Sequence, residues 1–228
     1  MKKRQTDKTE DGFTLVEILV AILIFSVIAA TIFTSFNSLF ASSQTLGRDI
    51  ALAEMGNRCL NRMVSDIRSA HIDIPPHYLI PDDRAGDEEI DPFRIVGDSR
   101  ELRFASLAHL PIDGNPVPGI ARIVYYTEEG DDGLVLKRAD DPEPYEPFEK
   151  EGRNDPALCE KIISLKFGYH YEEDEVENAW DSESADYQHG TPRAISIRLE
   201  MGSGAKKLVM ETMATLPVCR KKKKRSRL

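Results

Sequence analysis

The chain has 228 residues, 41% of them hydrophobic and 30% charged, with 39 acidic residues against 30 basic ones and a formal net charge of −9. That length accommodates one membrane helix and one globular domain of roughly 150 residues, and it excludes two full soluble domains beside such a helix. Seven of the basic residues lie between Arg220 and Arg227, so the body is more acidic than the total, and nucleic-acid phosphates repel such a body.

In chain order, residues 1–12 are short and polar, with Lys2, Lys3, Arg4 and Lys8 against Asp7, Glu10 and Asp11. The positive-inside rule leaves this segment in the cytoplasm and sends the body outward. From Phe13 to Phe40 the only charge is Glu17, and the run exceeds the roughly 20 residues that cross a bilayer. A carboxylate well inside such a helix costs roughly 2.5 to 3.5 kcal/mol on insertion scales and marks a functional site by default. Glu17 therefore needs a partner.

Helical periodicity continues past the apolar run. Leu46, Ile50, Ala53, Cys59 or Leu60, Met63, Val64 and Ile67 form a stripe, while Arg48, Asp49, Glu54, Arg58, Arg62 and Arg68 take other faces. One helix is expected from Phe13 to about Ser69, weakened at Gly47 and Gly56 by roughly 1 kcal/mol each relative to Ala and stopped by Pro75-Pro76. Beyond it the period becomes 2. Strands are expected at residues 93–96, 101–107, 122–127, 134–138, 161–171, 193–200 and 206–214, with hairpin connections at 128–133 and 201–205. Ile195, Ile197 and Leu199 alternate with Ser196 and Arg198, the pattern of a half-buried antiparallel strand. Residues 77–92 and 139–156, rich in Pro, Asp and Glu, are expected to be surface loops, because the prolines break a regular ladder. A long helix followed by antiparallel strands gives an α+β domain with the helix covering a sheet face. The organisation expected is a leader at 1–12, a transmembrane segment at 13–40, the outer half of the same helix at 41–70, a β-rich body at 71–219 and a basic tail at 220–228.

Candidate chemistry is sparse. Cys59, Cys159 and Cys219 allow one bridge among three pairings in an oxidising compartment. Cys159 with Cys219 is the expected pair, since both flank predicted strands and Cys59 lies on a helix; three free thiols are the alternative. No zinc spacing, Gly-x-Ser-x-Gly or His-Glu-x-x-His occurs. Gly202-Ser203-Gly204-Ala205-Lys206-Lys207 lacks phosphate-loop spacing and reads as a hairpin turn. His71, His77, His109, His170 and His189 are scattered singly. The acidic runs Asp87 to Asp91, Asp131-Asp132 and Glu172 to Glu177 would suit calcium but miss the EF-hand pattern, so they read as solvated loops. No catalytic residue, metal site or cofactor is expected.

The segment Gly12-Phe13-Thr14-Leu15-Val16-Glu17 resembles the processing site of type IV prepilins and secretion-system pseudopilins: a polar leader ending in Gly, then Phe, then Glu as the fifth residue after the cut. The resemblance implies a pilin-like fold, cleavage between Gly12 and Phe13 by a prepilin peptidase, and methylation of the new Phe13 amine. An α-amine has a pKa near 8, so Phe13 of one subunit would supply the cation that Glu17 of its neighbour lacks. Such pairing enforces register more than it stabilises.

Three further segments are similar to the J-type minor pseudopilins of type II secretion: residues 58–68, Gly97 to Phe104, and Phe167-Gly168-Tyr169. That resemblance implies a non-enzymatic subunit of a pseudopilus tip complex, anchored by one span in the bacterial inner membrane with its body in the periplasm. Its partners would be I- and K-type minor pseudopilins, the major pseudopilin and membrane lipid, with no nucleic acid. The alternatives are a minor pilin of a type IV pilus or DNA-uptake system, whose best support is the basic tail, and a signal-anchored periplasmic binding protein, left uncut or cut near Ser43.

Overall fold

A computed structural model describes residues 14–81, 91–110, 119–142, 153–172, 175–203 and 206–221. The architecture is α+β and pilin-like: one long N-terminal helix and a nine-stranded antiparallel sheet. The chain divides into two compact units, Met1–Ala51 and Leu52–Leu228. Helix α1, Leu15–Arg68, contributes residues 15–51 to the first and 52–68 to the second.

In the first unit α1 exposes large apolar side chains, with Phe25 and Phe33 70% and 67% exposed. Its hydroxyl side chains turn back onto the helix. Ser26 donates to the Ile22 carbonyl at 2.7 Å, Thr34 to Ala30 at 3.0 Å and Ser35 to Thr31 at 2.8 Å. Hydroxyls satisfied in this way tolerate an apolar surround, and the helix is long and apolar enough to cross a membrane. Leu46 and Ile50, members of the apolar stripe, are both exposed. The stripe meets a core only from Leu52 onward.

In the second unit Cys59, Leu60, Met63 and Ile67 of α1 enter a core shared with the sheet. Gly56 is buried, and a Cβ there would fall within 2.8 Å of the Met201 Sδ and still closer to the end of Met210. The glycine expected to weaken the helix is thus where the sheet's methionines approach it. The helix stops before the prolines. The Ser106 hydroxyl donates to the Asp66 carbonyl at 2.9 Å, Ala70 bridges to Ser106, and the Leu107 N–H donates to the Ser69 carbonyl at 2.9 Å, so the last turn is satisfied by the sheet.

The strands are β1 (Val96–Gly97), β2 (Leu102–Ser106), β3 (Ala121–Gly130), β4 (Gly133–Pro142), β5 (Ala157–His170), β6 (Val176–Glu177), β7 (Trp180–Asp181), β8 (Ala194–Ser203) and β9 (Lys206–Thr215). Their order is β7-β1-β2-β3-β4-β5-β8-β9, with β6 beside β5. Both expected hairpins form: β3 and β4 pair up to Gly130 and Gly133, and β8 and β9 up to Ser203 and Lys206. Gly133, at φ +119°, takes a backbone conformation that side-chain-bearing residues rarely adopt. On β8, Ile195, Ile197, Leu199 and Met201 are buried as the alternation requires.

Two expectations need correction. The 139–156 stretch is not all loop, because Asp140, Asp141 and Pro142 continue the ladder opposite Ile123, Arg122 and Ala121. Pro142 is tolerated as the terminal residue of β4, where no further N–H is required, and both aspartates have cationic partners. β5 begins four residues before the expected start and is bulged: Lys161, at φ 58°, lies where the register with β4 shifts between Cys159 and Ile162, and the register with β8 shifts between Ile162 and Ser164. The two-residue strand β7 has no periodicity to announce it. It is held by Trp180, which stacks on Tyr187 at 4.4 Å and donates to the Gly190 carbonyl at 3.0 Å.

Candidate functional site

The sequence places function at the head of α1. Gly12 and Phe13 lie outside the described residues; Thr14 and Glu17 lie within them. The Thr14 N–H and hydroxyl donate to Glu17 Oε2 at 2.9 and 2.8 Å, and the Glu17 N–H donates to Thr14 Oγ1 at 3.3 Å. This reciprocal arrangement is a capping box, which satisfies the first amides of the helix and sets a negative charge at its positive end. Within the chain, Glu17 thus bonds to Thr14. The Thr-x-x-Glu spacing is the sequence signature of such a box. From Leu15 to Phe40 the helix offers apolar side chains and self-satisfied hydroxyls, a surface suited to lipid or to like helices.

In the body, the chemistry centres on Asp66, a residue outside the sequence-predicted site residues. Its side chain is 0% exposed. Arg138 Nε donates to Oδ2 at 2.7 Å, Tyr125 OH to Oδ2 at 2.5 Å, and Arg62 Nη2 lies 2.6 Å from Oδ1. Arg138 also reaches Asp140 at 2.5 Å, and His109 Nδ1 lies 2.6 Å from the other Asp140 oxygen. Burial and the Asp66 charge push the Tyr125 hydroxyl well above its ordinary range. Burial opposes ionisation of Asp140, but hydrogen bonds from His109, the Leu110 N–H and Arg138 outweigh it and hold the carboxyl below the usual value. The available signal was a lone Asp three residues after Met63 and one before Ile67, on the core-facing stripe. Asp66 Oδ2 and both Asp140 oxygens are matched to donors, whereas Asp66 Oδ1 is met by the Arg62 ion pair without a hydrogen bond of good geometry; the cluster is a clamp of α1 onto β3 and β4.

A second buried cation is Arg220, which composition groups with the basic tail. It donates to the carbonyls of His189 and Ser182, both at 2.8 Å, pairs with Asp91 at 3.0 Å and Glu183 at 3.3 Å, and lies over the Tyr78 ring. The rest of the tail beyond Lys221 lies outside the described residues. So do Asp87 to Ile90, Glu173 and Asp174 from the acidic runs.

Cys59, Cys159 and Cys219 are free thiols. Cys59 on α1 and Cys159 on β5 are both buried in the same core, whereas the Cys219 Sγ lies 3.3 Å from the Thr191 carbonyl. The histidines are not brought together: His109 meets Asp140, His170 meets Ser196 and His189 meets the Glu183 carbonyl. Among the described residues no group of three or more His, Cys, Asp or Glu is arranged to hold a metal.

The segments Gly97 to Phe104 and Phe167-Gly168-Tyr169, far apart in sequence, meet in space. Tyr169 OH donates to the Asp98 carbonyl at 3.0 Å, the Phe167 N–H to the Ser99 carbonyl at 3.1 Å, and Gly97 leaves room for the Tyr169 hydroxyl.

No curated protein matches the chain. Residues 7–33 match the family described as the prokaryotic N-terminal methylation motif. That motif implies processing by a prepilin peptidase, membrane anchoring and assembly with pilin-like subunits. Together with a self-capped apolar helix leading into an antiparallel sheet, it supports a type IV pilin-like protein, a structural subunit in kind.

Proposed function

We propose that the chain is a J-type minor pseudopilin of a type II secretion system, anchored in the bacterial inner membrane with its body in the periplasm. It joins I- and K-type partners and the major pseudopilin in a tip complex that initiates the pseudopilus and helps export folded proteins. The organisation proposed is a leader at 1–12, a span at 13–40, the outer half of the helix at 41–70, a body at 71–219 and a tail at 220–228. Cleavage falls between Gly12 and Phe13, Phe13 is N-methylated, and Glu17 exchanges part of its bonding with Thr14 for the Phe13 amine of a neighbouring subunit.

The observation that carries this reading is a single carboxylate, Glu17, at the head of a helix that is otherwise uncharged and mostly apolar through Phe40. The mutual packing of the 97–104 and 167–169 segments supports the J-type assignment, because the residues that carry that resemblance form one unit. A pilus or DNA-uptake role would draw on the basic tail, but Arg220, its first cation, is engaged inside the body, which favours secretion.

Mass spectrometry of the N-terminal peptide is expected to find N-methylated Phe13 as the first residue. A functioning protein that retains residues 1–12, or one cut near Ser43, overturns the reading. Glu17→Ala is expected to leave insertion and leader removal intact and to lower recovery with I- and K-type subunits at least tenfold. Undiminished recovery, or recovery with pilus subunits instead, counts against it.

A further inference from the structure

One charged run has no part in the clamp, the sheet or the proposed assembly: Lys221, Lys222, Lys223, Lys224, Arg225 and Arg227 follow Arg220 as six cations in seven residues. The fold fixes where that run leaves the body. Arg220 is buried, its backbone N–H donates to Thr191 Oγ1 at 2.8 Å, and Lys221 beside it is exposed. The acids at this exit, Asp91 and Glu183, are both paired with Arg220. Large apolar side chains stand exposed around the same socket. Arg220 donates to the Asp73 carbonyl at 3.3 Å and lies over the Tyr78 ring, and the residues that follow these two in sequence, Ile74 and Leu79, are 42% and 55% exposed. Val218, two residues before Arg220, is 41% exposed.

We propose that this face of the body docks on an anionic lipid bilayer, with residues 221–227 over the headgroup phosphates and Ile74, Leu79 and Val218 seated at the edge of the acyl region. Each cation close to a negatively charged leaflet adds an attraction that salt screens, and runs of roughly four to eight Lys or Arg are the sequence signature of that contact. Apolar side chains inserted beside the cations add a second hold that salt does not screen. Their meeting at one exit selects a bilayer over a nucleic acid: a duplex offers phosphates but no apolar layer, and the acidic body is repelled by it. The rival occupant within the chain is residues 82–89, five acids and one arginine with a net charge of −4, which lie outside the described residues. Six cations against that charge leave a surplus of +2 for another anion. Docking gives the chain a hold on lipid besides its apolar helix, and it serves a secretion subunit and a pilus subunit alike.

The test uses the full-length chain in phosphatidylcholine nanodiscs, which occupy its apolar helix, mixed with sedimenting vesicles of phosphatidylcholine alone or with three lipids in ten replaced by phosphatidylglycerol. At low salt the anionic vesicles are expected to carry down at least about tenfold more protein than the neutral ones. A chain truncated after Lys221, and one with Lys222, Lys223, Lys224, Arg225 and Arg227 all changed to Gln, are each expected to lose that preference. The cations of residues 1–12 are common to all three chains, so the difference reads the tail. Ile74→Ser, Leu79→Ser and Val218→Ser combined are expected to lower binding about threefold or more and to remove the part that survives high salt. Leu79→Ser and Val218→Ser, made singly, carry the same test if the triple variant melts early. No preference for the anionic vesicles overturns the proposal and leaves the tail to the acids of its own chain. Undiminished binding by the tail variants, or by the serine variants, overturns it as well. So does displacement of the vesicles by a DNA duplex at equal phosphate concentration, which makes the tail a nucleic-acid element instead.

Discussion

Asp66 has no exposed surface, and its carboxylate is held by Arg138, Tyr125 and Arg62. A buried ion pair adds little over a well-packed apolar pair, but removing one partner leaves an uncompensated charge. Asp66→Ala is therefore expected to destabilise the body by about 3 to 5 kcal/mol, read as a lowered urea midpoint with the slope unchanged. Asp140 adds a pH dependence. Its carboxyl is held below the ordinary value of 3.8 by His109, the Leu110 N–H and Arg138 against the pull of burial. A carboxyl with a depressed folded pKa contributes stability that is fully present above its unfolded value and is lost as pH falls through the folded one. Unfolding monitored by tryptophan fluorescence should thus show a stability loss that begins near pH 4 and deepens below it, and Asp140→Asn should flatten that limb.

Among the elements, α1 combines two kinds of surface. Residues 15–40 carry no charge but Glu17 and expose their large apolar side chains, and residues 52–68 carry the stripe that the sheet covers. The periodicity of Leu46, Ile50, Cys59, Met63 and Ile67 identified a helix with an apolar stripe but not where its cover begins. Coverage depends on where β8 and β9 lie, a long-range matter. Gly56 shows the same division. Its helix cost could be read from composition, whereas its compensation, close approach of Met201 and Met210, depends on the fold. Because those contacts are the ends of flexible side chains, Gly56→Ala is expected to stay within about 1 kcal/mol of the native protein, its helical gain offset by repacking. Gly56→Leu is expected to cost about 1 to 3 kcal/mol by overpacking. Thermal melts of the two variants, made in parallel, test this.

At the scale of the whole molecule, Arg220 joins the end of the described chain to Asp91, Glu183, His189 and Tyr78 of the body. A chain truncated after Lys221 should keep its Tm, while one truncated after Cys219 should lose roughly 3 kcal/mol or more, because Asp91 and Glu183 are left buried without their cation. An equal effect of the two truncations would show that the tail beyond Lys221, rather than the socket, carries the stabilisation.

By itself the sequence determined the class of molecule. The processing motif, the apolar run with its one acid, the helix that follows it and most strands of the sheet are local patterns, and local patterns survive in a linear reading because neighbouring residues carry them. Even the Thr14 to Glu17 capping box was local enough to read. Only the tertiary structure decided the burial of Asp66, the capture of Arg220 from the basic tail, the ladder running through Pro142, the two-residue strand at Trp180 and the burial of Cys59 and Cys159 in one core. Each of these depends on a partner tens of residues away, and the energy that makes a buried charge or thiol tolerable belongs to the pair, which no stretch of sequence contains.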